Sequence, residues 1–476
     1  MAVGDRSALA ELAARRPDLV VGPGDSRWDR SRVAFAATVD QRPAAVGLPR
    51  DADDVAALVA AGRDDGLRIA PQRTGHAAEA LDLAGALLLR TDRMSELTVD
   101  PDRRTMRAGA GVLTGAAVAA AGRHGLAPQV GSSPTVGLVG FHLGGGVSLV
   151  SRRHGLAADA VTAVELVVPD GTWIRATAAS ESELFWALRG GGGGVGVVTA
   201  IEVDLVDLGP VQGGNLFFPL SRAREVMHVW REVALDAPDG LTLAGRVLRL
   251  PRPLAELPAG QCPTGPDGVA LAAAANAGRE LTAIVGVQLG DEPEAAELLA
   301  PLRALGPVVD TFGPRGPEAM CEVHMDSVEP MPSVDDHLLL ADPLPAAAVD
   351  MFVDTVGAES GSAIATAELR QTGGAIRRSG HADSAASLPG GHFAFAAGLV
   401  GDGPGMADRA RVDGDLARFV EALAPWALGA GFMNFSDRPL PAASFLSLEA
   451  GERLRRVARG WDPEGTIVAC HPAAVR

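Results

Sequence analysis

The sequence predicts an α+β protein of more than one domain, and three observations lead there. At 476 residues the chain exceeds what one hydrophobic core usually supports, so two or three folding units sharing an interface are expected. Short apolar runs alternate with helical periodicity and glycine turns from Ala44 to Val206, the pattern of mixed helix and sheet. After Gly209-Pro210 the texture shifts to longer strands and helices, which places a domain boundary near residue 207.

The first unit, residues 1–206, opens its pattern with the short strand AAVGLP, the helix DADDVAALVAAGRDDG, the strands LRIAPQ and GALLLRT, and a strand pair flanking VDPDRRT. VTAVELVVPDGTWIRAT reads as a hairpin, with β-rich arms around Pro169-Asp170-Gly171 supplying the turn. SESELFWALRG follows as a short capped helix, and GVGVVTAIEVDLV resumes a strand. The second unit, residues 207–430, holds the strands GNLFFPL, LTLAGRVLRL and RELTAIVGVQLG and the helices SRAREVMHVWREVAL and EPEAAELLAPLRAL. Its Pro/Gly-rich stretch from Pro251 to Gly268 reads as a surface loop. The last segment, 431–476, carries the amphipathic helix EAGERLRRVARG and a short tail.

Composition narrows the function classes. A net charge of -17 opposes a role in gripping a phosphate backbone, which needs concentrated positive charge, so nucleic acid is not an expected partner. Although 47% of residues are hydrophobic, no stretch approaches the roughly 18 apolar residues of a membrane span. The N-terminal MAVGDRSALAELAARRPD places acids and arginines where a secretory signal has an apolar core, so a cytoplasmic protein is expected. Cys262, Cys321 and Cys470 form no CxxC pair and suggest neither a zinc site nor a disulfide framework; they are expected to be buried thiols, and no metal is expected. All 42 basic residues are Arg and the chain has no Tyr, which removes Walker-type lysine loops, Schiff-base catalysis and a phenolate base from consideration.

Gly191, Gly193 and Gly196 satisfy GxGxxG by letter, but a helix precedes them and a strand follows, the reverse of a Rossmann fingerprint. Three other clusters make better anion cradles: PQRTGHA at 71–77, GSSPTVGLVG at 131–140 and LGGGVS at 143–148. Small residues there let backbone N–H groups approach a pyrophosphate without lysine.

The order and spacing of these clusters, beginning at RPAAVGLPRDADDVAALVAAGRDDGLRIAPQRTGH and continuing through RAGAGV, GSSPTVGLVGFHLGGG, RRHGLAADAV, PDGTW and LFWALRGGGGGVGVVTAIEVDL, resemble the berberine-bridge-enzyme-like FAD-linked oxidases of the vanillyl-alcohol-oxidase, or PCMH-type, superfamily. The resemblance is specific over 41–206 and resumes weakly at ELRQTGGAIRR and ERLRRVARGWDPEG. It implies a two-lobed FAD-binding domain whose PCMH-type core spans about 41–206, an α+β substrate-binding domain with an antiparallel sheet over the flavin, and a C-terminal segment returning to the first domain. It also implies an oxidoreductase that moves a hydride from a small organic molecule or natural-product intermediate to flavin N5, with O2 reoxidising the flavin and yielding H2O2. A flavin dehydrogenase using another acceptor, and a flavin-bearing non-redox cyclase or ligand scaffold, are the alternatives.

The residue matching the family's flavin attachment is His76, so FAD is expected to be covalently bound there. A neutral imidazole is the nucleophile such a bond requires. Many relatives form a second bond through a Cys where this chain has Ser133, and a serine without a base is too weak a nucleophile. A mono-covalent subgroup follows. Val136 matches the family's oxygen gatekeeper and favours oxidase behaviour. The remaining residues that the resemblance places at the cofactor are Arg73, Thr74, Gly75, Ala77, Ser132, Gly137, Gly140, His142, Gly145, Gly146, Gly196, Val197, Val198, Asn434 and His471.

Relatives often take their base from a Tyr-x-Asn pattern, but the corresponding stretch here is SFLSLEA at 444–450. Another group has to serve. Glu368 and Arg370 in ELRQTGGA share one face of a strand by alternation and are candidates for a base and its orienter. His324 with Asp326, and Asp336 with His337, are further acid/base candidates.

Overall fold

The structure, a computed structural model, describes residues 7–250, 265–275, 280–378, 384–386, 388, 391–436, 440–469 and 471. The chain first lays down a four-stranded sheet from β1 (Val20–Val21), β2 (Ala45–Gly47), β3 (Arg68–Gln72) and β4 (Ala86–Arg90), in the order β1-β2-β4-β3. The crossover between β2 and β3 is the helix Ala52–Asp64, whose Asp51 side chain caps the first turn by accepting from the Asp54 N–H. Its Val55, Leu58 and Val59 are buried against Ile69 and Leu87 of the sheet. A helix packed on a mixed sheet is one lobe.

The second lobe is a five-stranded antiparallel sheet, β5 (Leu97–Asp100), β6 (Thr105–Gly109), β8 (Val161–Val167), β9 (Trp173–Ala176) and β10 (Val197–Asp204), in the order β5-β6-β10-β8-β9. The hairpin read around Pro169-Asp170-Gly171 is β8–β9, with Gly171 at φ 88° in the left-handed region that favours glycine. The helix Ser182–Leu188 forms as expected but has no side-chain cap, because Glu181 before it takes a left-handed conformation. β7 (Leu126–Ala127) pairs with β11 (Val206–Asp207) beside this lobe.

From residue 211 onward the strands build a different sheet. β12 (Val211–Pro219), β13 (Leu241–Arg249), β14 (Glu280–Leu289), β15 (Val309–Asp310), β17 (Ser333–Leu340), β18 (Ile364–Gln371) and β19 (His392–Leu399) run β15-β12-β14-β13-β18-β19-β17, with β16 (Gly313–Arg315) also on β12. All of its pairings are antiparallel. One face is apolar: Leu216, Phe218, Leu243, Val247, Ile284, Ala367, Leu369 and Ala394 pack on Trp230, Leu299, Phe352 and Phe419 of four covering helices. Helix Ala223–Leu235 shows why, since its buried Ala223, Val226, Met227, Trp230 and Ala234 recur at helical spacing. The opposite face carries Arg246, Glu368, Arg370, Phe393 and Phe395 by strand alternation and looks toward the two lobes.

Part of the expected surface loop at 251–268 is helix: Gly265–Ala275 forms a helical segment, because GVALAAAA is rich in strong helix formers, and 251–264 lie outside the described residues. Cys321 is a buried free thiol; Cys262 and Cys470 lie outside the described residues. The C-terminal helix Leu448–Trp461 buries Leu454 and Val457 in the core of the second lobe. Beyond it the chain pairs with the first sheet, through Ile69 N–H to Thr466 C=O at 2.7 Å and Val468 N–H to Ile69 C=O at 2.8 Å. Among the described residues no helix is long and apolar enough to cross a membrane.

Trp230 is fully buried between helix and sheet. Trp230→Ala is expected to cost about 3–5 kcal/mol, seen as a lower denaturant midpoint in chemical unfolding.

Candidate active site

The loop after β3 is shaped by its glycine. Gly75 sits at φ 78°, and a Cβ there would fall 2.8 Å from the Cβ of Ala34, so only glycine lets the 34–36 segment close on it. That segment docks by Phe35 N–H to Thr74 C=O at 2.8 Å and Ala36 N–H to Gly75 C=O at 3.2 Å. The Phe35 ring thereby stacks on the His76 imidazole, with centroids 3.9 Å apart and planes 12° from parallel. His76 Nδ1 lies 2.8 Å from the Thr74 hydroxyl. Burial among these neighbours pushes the His76 pKa down to about 4, with Asp326 opposing weakly. The ring is neutral at physiological pH.

Arg73, next in the loop, donates to the Gly111 carbonyl at 2.7 Å and to Asp92 at 2.8 Å. Its guanidinium positions the loop. Its side chain also abuts Gly137, where a Cβ would lie 3.1 Å away; the first two glycine clusters therefore close on each other. Ser133 is buried and turned into its own loop, its hydroxyl 3.0 Å from that of Thr135. Val136 is half-buried and its carbonyl accepts from Thr114 N–H at 2.9 Å. Gly140 is exposed, with open space where a side chain would project. Ala77 leads into a short turn of 3-10 helix.

His142 is fully buried, its Nδ1 2.8 Å from the Leu138 carbonyl and its Nε2 without a partner among the described residues. Gly145 and Gly146 take φ values of 107° and 69°. Asn434 from the tail accepts from Gly146 N–H at 3.0 Å and donates to the Phe141 carbonyl at 3.1 Å, so its amide clamps this loop with both arms. His471 packs on Phe445, centroids 4.7 Å apart. Val197 and Val198 place their side chains in two different hydrophobic clusters, and Gly196 is glycine because a Cβ would meet Leu166 and the Val167 carbonyl within 2.9 Å.

Across the cleft the structure joins residues that the sequence offers as separate pairs. His324 Nε2 lies 2.7 Å from Glu368 and its Nδ1 2.7 Å from Asp326. Asp326 accepts from the Ser132 hydroxyl at 2.8 Å, so the chain of contacts ends in the loop beside His76. Arg370 pairs with Glu368 at 2.7 Å. Arg246 donates to the His324 carbonyl at 2.5 Å and stands 3.7 Å from Glu368. Glu368, Arg370 and Arg246 are all buried; the Asp326 side chain, 29% exposed, is the open end. Burial alone would raise the Glu368 carboxyl, but Arg370, His324 and Arg246 outweigh it and bring its pKa down to about 2. Burial likewise opposes ionisation of Asp326, and His324, Arg246 and Ser132 hold it well below the usual carboxylate range.

Asp336 and His337 do not form the expected pair. Adjacent strand positions face opposite ways, and His337 Nε2 accepts from Phe432 N–H at 2.8 Å, which ties the tail to the sheet. Arg246 and Phe35 were not singled out by the sequence. An arginine in the middle of the apolar strand LTLAGRVLRL was the available signal for the first; nothing local marks the second.

The glycine loops suit a flavin dinucleotide. They offer backbone at close approach, a neutral imidazole at His76, and no Asp or Glu in 73–77 or 131–146 to repel a pyrophosphate. Residues 43–177 match the family model described as an FAD binding domain. (R)-6-hydroxynicotine oxidase of Paenarthrobacter nicotinovorans is 35% identical over 190 residues, 40% of this chain and 42% of that protein. Matched stretches cover between 24% and 46% of the curated relatives, so the chain spans less than half of each. Solved structures align over nearly the whole length and show the same fold. BBE-like 1 of Physcomitrella patens has a TM-score of 0.80 at 19% identity, over 98% of this chain and 99% of that one. Glucooligosaccharide oxidase from Acremonium strictum, whose FAD is 6-S-cysteinyl and 8α-N1-histidyl, has a TM-score of 0.76 at 19% identity over 99% of each chain.

Because the folded pKa of Glu368 is about 2 against an ordinary 4.5, its contribution to stability is present above about 4.5 and lost as pH falls toward about 2. Glu368→Gln is expected to destabilise by about 3–5 kcal/mol at pH 7, where it leaves buried guanidinium charge uncompensated. The deficit relative to wild type should shrink between pH 4.5 and pH 2 in denaturant titrations; a deficit independent of pH would refute an ionised Glu368.

Proposed function

From a chain that carries a PCMH-type FAD-binding domain and has the fold of the berberine-bridge-enzyme-like flavoproteins, we propose an FAD-linked oxidase with the cofactor bonded to His76. In this reading residues 1–206 and 431–476 hold FAD, and 207–430 cover it and bind a small organic substrate. The observation that carries it is the neutral, ring-stacked His76, close enough to feel the charge of Asp326, the acid that ends a buried acid–imidazole relay and bonds to the second glycine loop.

Each residue has a task that follows from its surroundings. Neutral His76 keeps the lone pair that bond formation requires, and Phe35 and Thr74 hold its ring in one orientation. Ser133, bonded within its own turn and with no base on it, supports a single covalent link. The glycine backbones of 75, 137, 140, 145 and 146 are positioned for the dinucleotide, with Arg73 and Asn434 fixing the loops that bear them. FAD, when bound, supplies the hydride acceptor and the route for electrons to O2, giving H2O2. The substrate proton goes to the carboxylate of Asp326, the partly exposed end of the Glu368–His324–Asp326 relay: Glu368 and Asp326 are both ionised at neutral pH, His324 bridges them, and Arg370 and Arg246 hold the charges in place. This relay replaces the missing tyrosine. A non-redox scaffold has no use for it, which favours oxidation chemistry. Val136 supports O2 as acceptor over a partner protein.

Mass spectrometry of acid-denatured protein is expected to show one covalent FAD, lost in His76→Ala. Apoprotein mass in both would refute the linkage. Asp326→Asn is expected to keep that mass while slowing substrate-driven flavin reduction about 10²–10⁴-fold, measured by anaerobic stopped flow. In air, the wild type should reoxidise rapidly and release peroxide in proportion to substrate consumed; a reduced flavin stable in air would point to a dehydrogenase.

A further inference from the structure

At one end of the large sheet, on its helix-covered side, lies a cavity of about 360 Å³ that the proposed oxidation leaves unused. Six residues give it its chemistry: Arg152 from the second lobe, Asp239 beyond helix Ala223–Leu235, Asp342 beyond β17, Thr372 at the end of β18, Arg377, and His392 opening β19. Strand alternation turns His392 away from Phe393 and the cleft, and its ring meets Trp230 edge-on, centroids 6.0 Å apart. Thr372 stands four positions beyond Glu368, about 13 Å at strand spacing, so the cavity and the relay are separate. Its volume lies within the range of small-molecule sites.

Hydrogen-bonding capacity is left over there. Arg152 is committed to the carbonyls of Leu241, Thr372, Ala237 and Pro238, and Arg377 to Asp342. Thr372 and His392 are only 2% and 4% exposed, yet the Thr372 hydroxyl and His392 Nδ1 have no hydrogen-bond partner among the described residues. Folded proteins seldom leave buried polar groups in this state. Asp342 Oδ1 is 3.9 Å from His392 Nδ1, beyond a hydrogen bond but near enough for one hydroxyl to bond both. Gly374, at φ 57°, lets the wall close, since a Cβ there would fall 2.7 Å from an Asp239 carboxylate oxygen and 2.3 Å from the Arg152 carbonyl oxygen.

The charges of the lining balance. Arg152 and Arg377 are matched by Asp239 and Asp342, and burial pushes the His392 pKa down to about 4 against the pull of Asp342, so the imidazole adds none. An anion would meet two carboxylates and a cation two guanidinium groups; an apolar body would strip water from these side chains and return nothing. A hydroxyl both donates and accepts, and suits carboxylate, guanidinium, imidazole and threonine alike. We propose that this cavity binds a small polyol of monosaccharide size, with one hydroxyl between Asp342 and His392 and another on Thr372. The site is independent of the oxidase reading. Because Arg152 belongs to the second lobe and the other five residues to the large-sheet unit, a bound polyol braces the boundary between them.

Ligand-observed NMR titration of the purified protein with D-glucose tests this directly. Saturable binding at one site is expected, weakened at least fivefold by Thr372→Val, His392→Phe and Arg377→Met; the last alters a half-exposed side chain and serves should the buried changes impair folding. Glucose should also raise the thermal midpoint of the wild type with rising concentration, as any ligand of the folded state does, and raise that of the three variants less. Asp326→Asn, in the cleft, should bind glucose as the wild type does. No saturable binding, affinity unchanged in all three variants, loss of binding in Asp326→Asn, or stronger binding of glycine or inorganic phosphate than of D-glucose would overturn the proposal.

Discussion

The structure turns on a set of charges that cannot be left alone. Glu368, Arg370 and Arg246 are buried on one sheet face, and unpaired charges in such a place are costly enough to unfold a domain. Each has an opposite charge close by: Glu368 lies 2.7 Å from both His324 and Arg370, His324 2.7 Å from Asp326, and Arg246 3.7 Å from Glu368, while the Nε atoms of Arg246 and Arg370 have no partner among the described residues. The cluster is complete only when Asp326 is satisfied too, and its partner Ser132 comes from the glycine-rich loop on the far side of the cleft. The contact between the sheet and the lobes and the charge network thus share one hydrogen bond.

Other contacts across the same boundary follow this logic of saturation. Arg152, buried next to the third glycine cluster, donates to the carbonyls of Leu241, Thr372, Ala237 and Pro238, all at the ends of strands or loops of the large-sheet unit. Asn434 uses both arms of its amide on the loop at 141–146, and His337 takes a backbone N–H from the same tail. None of these side chains is free to swing.

Much of the fold was legible from periodicity and turn chemistry. AAVGLP, DADDVAALVAAGRDDG and LRIAPQ read as strand, helix, strand because short apolar runs, 3.6-residue spacing and an Asp cap are local properties, and the hairpin at 169–171 is marked by its own turn residues. Local reading failed where a signal was ambiguous: the Pro/Gly content before 268 masked the helix at 265–275, and the helix in SESELFWALRG lacks the expected cap because Glu181 before it has a left-handed backbone. Strand alternation placed Glu368 and Arg370 together; Asp336 and His337 were offered as a pair by sequence adjacency alone, which does not reveal that neighbours on a strand part to opposite faces until the strand itself is known.

By itself the sequence determined the residue types, and with them the chemistry available: no lysine or tyrosine to use, a histidine after a glycine loop, a serine where a cysteine would bind, and acids and histidines enough for a base. It also determined the elements, whose formation depends on neighbours a few positions away. Only the tertiary structure decided that Ser132, Asp326, His324, Glu368 and Arg246 touch, that Phe35 stacks on His76 from 41 residues upstream, and that Phe435 leans over Phe395. Those contacts join segments up to about two hundred residues apart, and what selects them is burial of charge and close packing across the cleft, a property of the whole folded chain.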